Sequence, residues 1–391
     1  MCEGPARPTQ LFVITRGAIL KKRILITGGA GFIGSHLADR LHSKGHTVRL
    51  FDNLSEQVHG PDAVRPKYLD PELELIIGDV RDPDAVRRAL DGIDAVFHFA
   101  AMVGVGQSMY EVERYTAVNN VGTSVLLEAL IERPVEKLVI ASSMSIYGEG
   151  LYRAPDGGIA SAVERTTADL KQADWEVRGA EGEPLTPVPT PESKRPSIAS
   201  VYALSKYDQE RMCLMIGNAY SIPTVALRFF NVFGTRQALS NPYTGVLAIF
   251  ASRLLNDNRP MIFEDGLQMR DFVSVYDIAD ACCLALDSNS ANGHVFNIGS
   301  GRAVTIREVA ESFARVLNKE HLVPDVTGQY RVGDIRHCFA DISLAREVLG
   351  YEPKVSLEQG MEELAEWLGG ETAVDRIAEA RSELLARGLA V

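Results

Sequence analysis

Lys22-Arg-Ile-Leu-Ile-Thr-Gly-Gly-Ala-Gly-Phe-Ile-Gly34 is the stretch that decides the fold of this chain. The apolar run that ends at Thr27 has the length of a buried strand. Gly28, Gly31 and Gly34 then follow at spacings that suit a tight turn into a helix. Such a turn lets a dinucleotide pyrophosphate approach the backbone at the helix N-terminus. The stretch therefore predicts an α/β domain with a dinucleotide site at its first turn.

Outward from this turn, short β-branched runs alternate with amphipathic segments. This alternation is typical of a doubly wound parallel sheet, the Rossmann architecture. Strands are predicted at residues 22–27, 47–52, 73–79, 95–100, 137–143, 225–231 and 294–298. Helices are predicted at about 107–131, 203–219, 305–318, 357–368 and 371–388.

The chain divides into a larger domain and a smaller lobe. We expect an N-terminal extension at 1–21, with a cleaved targeting segment as the alternative. A dinucleotide-binding domain follows at 22–235, to which 270–300 returns, and residues 236–269 and 301–391 form a smaller C-terminal substrate-binding lobe. Residues 158–198 contain no convincing periodic run. They are predicted to be an irregular insertion, either beside the active site or on the plain surface.

Composition excludes several classes of partner. A formal net charge of −12 argues against a nucleic-acid groove or a basic membrane face. No stretch approaches the roughly 20 apolar residues of a membrane span. The five cysteines show neither paired spacing nor a zinc-ligand pattern. We therefore expect no metal, no nucleic acid, no membrane association and a reducing cytoplasm.

The predicted strand ends carry side chains that suit NAD. Asp52 ends the second strand, where its carboxylate can accept hydrogen bonds from ribose hydroxyls and would repel the 2′-phosphate of NADP. Asp79 ends the third strand and suits an adenine contact, with a helix cap as the alternative. Ala100 and Ala101 follow the fourth strand and would let the cofactor pass close to the backbone. His98 is interpreted as a buried core histidine.

Tyr202 and Lys206 lie four residues apart on one predicted helix face. The ammonium can favour the phenolate form of the tyrosine and make it a base near neutral pH. Ser143 ends the fifth strand and can hydrogen-bond a substrate hydroxyl and share its proton with Tyr202. Taken singly, the pair could be an exposed helix pair and the serine a strand-end cap. Together with the glycine turn and Asp52 they predict hydride-transfer chemistry.

In this order along the chain, the motifs resemble those of the extended short-chain dehydrogenase/reductase family, in particular its NAD-dependent nucleotide-sugar epimerases and dehydratases. The resemblance covers residues 22–370. It implies that Asn119 supports the backbone near Lys206, that Asn231, Arg270 and Arg331 contact a sugar-linked diphosphate, and that the helices at 107–131 and 203–219 form a homodimer interface. The alternative for either arginine is a surface salt bridge.

The residues after Ser143 bear on which reaction of the family is performed. In the dehydratases this serine or threonine is followed by an acid and a base that expel the C6 hydroxyl, whereas this chain has Met144 and Ser145. Loss of a general catalyst typically costs about 10²–10⁴-fold in rate. The resemblance therefore implies a 4-epimerase, which inverts C4 through a transient 4-keto sugar.

Substrate choice rests on resemblance more than on chemistry. Met102 and Met144 would make the wall near C6 apolar and suited to a methyl group, although methionine often only fills a core. Long blocks are similar to the bacterial branch of the family that acts on dTDP-L-rhamnose: Gly104–Tyr110, Ser143–Tyr152, Ser240–Phe250 and Tyr330–Phe339. The alternatives are an epimerase for UDP-glucose or a uronic acid, then a dTDP-sugar 4,6-dehydratase, and a non-catalytic dinucleotide sensor.

The predicted site is therefore as follows. Catalysis is assigned to Tyr202, Lys206 and Ser143. The cofactor-binding residues are Gly28, Gly31, Phe32, Ile33, Gly34, Asp52, Asn53, Asp79, Val80, Ala100, Ala101, Asn119, Tyr202 and Lys206. The substrate-binding residues are Met102, Ser143, Met144, Ser145, Asn231, Arg270 and Arg331.

Overall fold

The computed structural model describes residues 21–62, 64–160, 165–239, 241, 245–331, 333–370 and 377–389, without the side chains of 377–380. Residues 1–20 of the predicted N-terminal extension lie outside the described residues, as do residues 371–376 of the helix predicted at 371–388. Within the described part of the chain, no helix has the length and apolar character needed to cross a membrane.

The first third of the chain alternates strands and helices. Its elements are β1 (Arg23–Thr27), α1 (Phe32–Ser43), β2 (Thr47–Asp52), α2 (Glu56–His59), β3 (Glu74–Ile77), α3 (Pro83–Ala89), β4 (Ala95–His98), α4 (Val105–Ser108), α5 (Val112–Tyr115), a π-helix (Thr116–Val121), α6 (Gly122–Glu132) and β5 (Lys137–Ser143). The single helix predicted at 107–131 is thus wrong in detail, because Glu111 between α4 and α5 has a non-helical backbone.

The described residues of the insertion, 158–160 and 165–198, contain short regular elements and pair with the strand Leu151–Arg153, which precedes them. A 3₁₀ turn (Met144–Tyr147) leads to β6 (Leu151–Arg153), β7 (Ile159–Ala160), α7 (Thr167–Lys171), β8 (Thr186–Val188) and then α8 (Val201–Ala219). β6 pairs antiparallel with both β7 and β8, and Tyr152, Val177 and Leu185 form a small core. The prediction of an irregular segment is wrong, because two- and three-residue strands are too short to produce a visible period.

The remaining chain supplies two strands of the central sheet, the helices Val275–Asp287 and Ser343–Leu349 that pack on that sheet, and the elements of the smaller lobe. These elements are β9 (Thr224–Phe229), β10 (Asn231–Phe233), α9 (Val246–Leu255), β11 (Met261–Ile262), β12 (Met269–Arg270), β13 (Phe272–Ser274), α10 (Val275–Asp287), β14 (Val295–Ile298), β15 (Val304–Thr305), α11 (Ile306–Val316), β16 (Asp325–Val326), β17 (His337–Cys338), α12 (Ser343–Leu349), α13 (Leu357–Leu368) and α14 (Ile377–Ala386).

Seven strands form one parallel sheet in the order β14-β9-β5-β4-β1-β2-β3. The prediction of a doubly wound parallel sheet is confirmed. The chain runs from β1 towards β2 and β3 and later returns to β4 on the other side of β1. The strand order therefore reverses between β1 and β4, and ligands of open α/β sheets bind at such a switch point, outside the carboxyl ends of the strands.

A second apolar core lies in the smaller lobe, where Phe233, Phe250, Phe313 and Met361 pack together. The structure differs from the predicted lobe boundary at residues 338–351, because Cys338, Ala345 and Tyr351 of this segment pack in the core of the central sheet. The other domain boundaries stay predictions.

Candidate active site

Two of the three turn glycines have no room for a side chain. Gly28 has a φ of +68°, and a Cβ atom there would lie 2.8 Å from the backbone nitrogen of Ala100. A Cβ atom on Gly34 would lie 2.3 Å from the carbonyl oxygen of Gly28. Gly31 caps α1 without a side-chain hydrogen bond, so the first N–H groups of that helix, at Phe32 and Ile33, stay available to an anion. The turn therefore fits a dinucleotide pyrophosphate.

Asp52 lies beside this turn at the end of β2. One carboxylate oxygen accepts a hydrogen bond from the N–H of Ala30 at 3.0 Å, and the other accepts from the N–H of Leu54 at 2.9 Å. These bonds fix the carboxylate in place at the switch-point edge of the sheet. Its negative charge would suit ribose hydroxyls and disfavour a 2′-phosphate, and contact of Asp52 with the cofactor stays a prediction.

At the next strand end, the structure brings Asn53 and Asp79 together. The Asn53 amide donates to Asp79 at 3.3 Å, and the Arg81 guanidinium also binds this carboxylate. Hydrogen bonds from Arg81 hold the pKa of Asp79 at about 2. Asp82 is the residue that caps α3. The side chain of Val80 is buried against α6, so a cofactor contact at Val80 would be made by its backbone.

His98 is buried and fully hydrogen-bonded, as interpreted from the sequence. Its Nδ1 lies 2.8 Å from the Thr27 hydroxyl, and its Nε2 lies 2.8 Å from the Thr123 hydroxyl. Thr123 donates its own proton to the Asn119 carbonyl at 2.6 Å, so His98 must donate from Nε2 and accept at Nδ1. Burial lowers the pKa of His98 to about 3, which keeps the ring neutral.

Tyr202 and Ser143 meet at the carboxyl edge of β5. Tyr202 is in the first turn of α8, where the Ser200 hydroxyl caps the helix. The hydroxyl of Ser143 accepts hydrogen bonds from the N–H of Ser145 at 3.2 Å and from the hydroxyl of Ser145 at 2.9 Å. Because both lone pairs of Ser143 are then occupied, its own proton is left to donate to Tyr202. Ser145 thus orients Ser143.

Lys206 lies one turn along α8, and its ammonium donates to the Ala141 carbonyl at 3.0 Å. Burial lowers the pKa of Lys206 to about 8. Burial also raises the pKa of Tyr202, while the hydrogen bond with Ser143 acts in the opposite direction. That the Lys206 ammonium favours the phenolate stays a prediction, because the net direction of the Tyr202 pKa is set by burial, and the ammonium is directed at the Ala141 carbonyl.

Asn119 is fully buried and ties two parts of the site together. Its side chain accepts from the N–H of Met102 at 2.7 Å, and it donates to the Met102 carbonyl and to the Ser205 hydroxyl. It therefore fixes the segment that follows Ala101 against the turn of α8 that carries Lys206. This position agrees with the supporting role that the resemblance implied.

The predicted substrate-binding residues fall into different environments. Met144 is 8% exposed and packs in the core of the central sheet, so its environment is that of a core-filling methionine. Met102 is half-buried. The side-chain oxygen of Asn231 is buried and has no hydrogen-bond partner among the described residues, which leaves it available to a ligand.

Arg331 and Arg270 converge on Asp334. Arg331 binds the Asp334 carboxylate at 2.9–3.0 Å and is 42% exposed. Arg270 approaches the same carboxylate at 3.7 Å but is only 12% exposed, and it donates to the carbonyls of Ile335 and Arg336. Burial acts to raise the pKa of Asp334, but the two guanidiniums outweigh it and the pKa is lowered.

Three further residues of the site were missed by the sequence analysis. Asp334 follows Arg331 by three residues, a spacing that could have indicated it. Ser108 accepts from the N–H of Tyr202 at 3.0 Å. Glu210 lies one turn beyond Lys206 and accepts from the Ser142 hydroxyl at 2.7 Å. Neither of these two contacts has a local pattern, because each joins residues at least 68 positions apart.

Comparison with known proteins agrees with this geometry. The profile of the NAD dependent epimerase/dehydratase family matches residues 24–168 and 176–299. A dTDP-L-rhamnose 4-epimerase of Burkholderia thailandensis is 37% identical over 356 residues, which cover 90% of this chain and 96% of that protein.

Solved structures also match over nearly their whole length. A UDP-glucose 4-epimerase of Thermotoga maritima with UDP-glucose has a TM-score of 0.72 and 30% identity, and covers 89% of this chain and 98% of its own. A UDP-glucuronic acid 4-epimerase of Bacillus cereus, in complex with UDP-glucuronic acid and NAD, has a TM-score of 0.72 and 27% identity, and covers 89% and 99%. The chain therefore belongs to the NAD dependent epimerase/dehydratase family, and its cofactor is NAD.

Proposed function

We infer that the protein is an isomerase, an NAD-dependent nucleotide-sugar 4-epimerase, and we propose that it interconverts dTDP-L-rhamnose and dTDP-6-deoxy-L-talose. The observation that carries the epimerase assignment is the environment of Ser143. The two residues that follow it offer a buried thioether, Met144, and a hydroxyl, Ser145, which is bound to Ser143 itself. No carboxylate is therefore contributed at either position to expel a C6 hydroxyl.

The proposed reaction uses Tyr202 as the group that takes the proton of the C4 hydroxyl. Ser143, oriented by Ser145, donates to Tyr202, and Lys206 supplies a buried positive charge one turn away. When bound, NAD supplies a reversible hydride acceptor whose ring is cationic, and a nearby cation favours ionisation of a phenol. Loss of a hydride from C4 and a proton from its hydroxyl leaves a 4-keto sugar. Return of the hydride to the opposite face of C4, and of the proton to the keto oxygen, inverts C4 without net redox.

The proposed substrate site has two side chains that can contact the diphosphate, Asn231 and Arg331, and a third, Arg270, that supports them. Asn231 contributes the unpaired side-chain oxygen, which can accept from a sugar or ribose hydroxyl, and its amide can donate to phosphate. Arg331 presents a partly exposed guanidinium, and Arg270 supports the neighbouring backbone. Such charge-assisted bonds are the means by which an acidic protein can bind two phosphates. The preference for dTDP-L-rhamnose is supported by the 37% identical relative.

Chromatography of reaction products tests the proposal. Pure protein is incubated separately with dTDP-L-rhamnose, dTDP-glucose, UDP-glucose and UDP-glucuronic acid. We expect dTDP-L-rhamnose to be converted to its C4 epimer with no net formation of NADH. A 4-keto-6-deoxy product from dTDP-glucose would refute the epimerase assignment. Conversion of a UDP-sugar alone would favour a second candidate function, that of a UDP-sugar 4-epimerase. The similarity to the UDP-glucose and UDP-glucuronic acid 4-epimerases supports that candidate.

We also propose that the protein is a homodimer. Val121 beside α6 and Leu204 and Met215 on α8 are 46–54% exposed, and they belong to the two helical segments predicted to form the interface. Apolar groups of this size on neighbouring helices favour helix pairing between two chains. Light scattering should give twice the mass of one chain, and Met215→Glu should shift the mass towards the monomer. A monomeric wild type would contradict this proposal.

A cytoplasmic location stays a prediction.

A further inference from the structure

The insertion is joined to the proposed diphosphate site by a cluster of charged side chains, of which Arg165, Glu264 and Arg336 are buried. At its centre is Arg336, whose side chain is fully buried and binds Glu264 at 2.9 Å, Asp265 at 2.7 Å and Glu176. Glu176 belongs to the insertion, and hydrogen bonds from His337 and Arg336 hold its pKa at about 2. The insertion therefore contributes a permanent negative charge to Arg336, next to the segment that carries Arg331.

Arg165, also from the insertion, makes the more direct connection. Its side chain is 5% exposed, and it donates to Glu264 at 2.8 Å and to the main-chain carbonyl of Asp334 at 2.8 Å. The carboxylate of the same Asp334 orients the guanidinium of Arg331. One buried guanidinium thus fixes the backbone of the residue that aligns the diphosphate arginine.

The cluster is rigid for an electrostatic reason. A buried charge that loses its partner is costly, so Arg165, Glu264 and Arg336 can move only together. Arg331 itself is partly exposed, and without support its long side chain would lose more conformational entropy on binding a diphosphate. A preorganised guanidinium binds phosphate more tightly than a mobile one.

We propose that Arg165 and Glu176 are positioning residues, through which the insertion holds Arg331 in the orientation that binds the diphosphate of the substrate. The inference rests on the proposed function for the role of Arg331. It assigns a purpose to the insertion: it contributes affinity for the nucleotide without touching the reacting carbon.

Binding of free dTDP and of free UDP, measured by calorimetry, tests the proposal without turnover. Arg165→Ala should weaken dTDP binding about 10–100-fold, the range expected when a charge-assisted contact is lost. Arg165→Lys keeps the charge but not the two-pronged geometry and should recover part of the affinity. The matched control is Arg178→Ala, because Arg178 lies in the same insertion but is 47% exposed and pairs with Asp174. The dTDP affinity of Arg178→Ala should equal that of the wild type.

Kinetics with the substrate provide a second readout. A positioning role predicts that Arg165→Ala raises KM while kcat changes by less than about threefold, and that copurified NAD is unchanged. Unchanged dTDP affinity in a folded Arg165→Ala protein would overturn the proposal. If Arg165→Ala does not fold, Glu176→Gln is measured instead, because Glu176 is 52% exposed. Unchanged dTDP affinity in Glu176→Gln would also overturn the proposal. Arg331→Ala tests the contact of Arg331 with the diphosphate separately from the positioning role of Arg165. Wild-type dTDP affinity in that variant would refute the contact itself.

Discussion

Replacing Tyr202 with phenylalanine is expected to abolish epimerisation while leaving NAD bound. The variant removes the only phenol that the structure places against Ser143, within the described residues, and leaves the ring in its buried position. A loss of about 10³-fold or more in kcat is expected when the group that takes the substrate proton is deleted. Turnover is measured by product chromatography, and NAD by absorbance after release from the purified protein.

Tyr207→Phe is the matched control, since Tyr207 lies on the same helix and packs on the core of the central sheet. That variant should keep wild-type turnover. Wild-type activity in Tyr202→Phe would defeat the proposed mechanism, whatever the substrate. The pH profile gives a further check. Burial raises the pKa of Tyr202, so activity should rise with pH through the neutral range, and Ser143→Ala should move that rise to higher pH by removing the bond that opposes burial.

Glu210→Ala is expected to have the largest effect on stability. Glu210 is 1% exposed and forms a two-pronged ion pair with Arg228 at 2.7 and 2.9 Å, which joins α8 to β9. Arg228 also donates to the Tyr147 hydroxyl. Removing one partner of a buried pair leaves an uncompensated charge and typically costs about 3–5 kcal/mol in the free energy of unfolding. Denaturant and thermal unfolding measure the loss.

Two comparisons make this result specific. Arg211→Ala changes an exposed charge on the same helix and should leave the unfolding midpoint nearly unchanged. The double variant Glu210→Ala/Arg228→Ala should lose less stability than the sum of the single variants, because it leaves no unpaired charge. A loss below about 1 kcal/mol in Glu210→Ala would contradict the view that this ion pair anchors the helix of Tyr202 and Lys206.

The central sheet was predictable because buried parallel strands are continuous apolar runs. Residues 47–52 and 137–143 were predicted with the bounds that β2 and β5 have in the structure. The insertion was not predictable in the same way. Its strands contain two or three residues each, and its position depends on ion pairs such as Arg165 with Glu264, which are 99 residues apart. No local period records such contacts.

The candidate site likewise combines features that a local sequence pattern predicts with features that depend on distant contacts. Glycine spacing, the Asp52 strand end and the Tyr202–Lys206 interval are local features, and the structure brings them to one edge of the sheet. The sign of the Tyr202 pKa is not local, because it depends on how completely α8 is covered by other elements. Ser108 was missed for a related reason, since its partner, Tyr202, lies 94 residues away, whereas the spacing of Asp334 from Arg331 is local and could have indicated it.

The hydrogen bonds around His98 have a consequence for the movement of protons. Thr27 accepts from the N–H groups of Phe99 and Ala100, and the other end of the chain terminates at the Asn119 carbonyl. An N–H cannot become an acceptor there, and a carbonyl cannot become a donor, so the direction of every bond is fixed. This series of hydrogen bonds, from Thr27 through His98 and Thr123 to Asn119, therefore cannot conduct a proton. The proton that Tyr202 takes from the sugar must therefore be returned by a route that does not pass through His98.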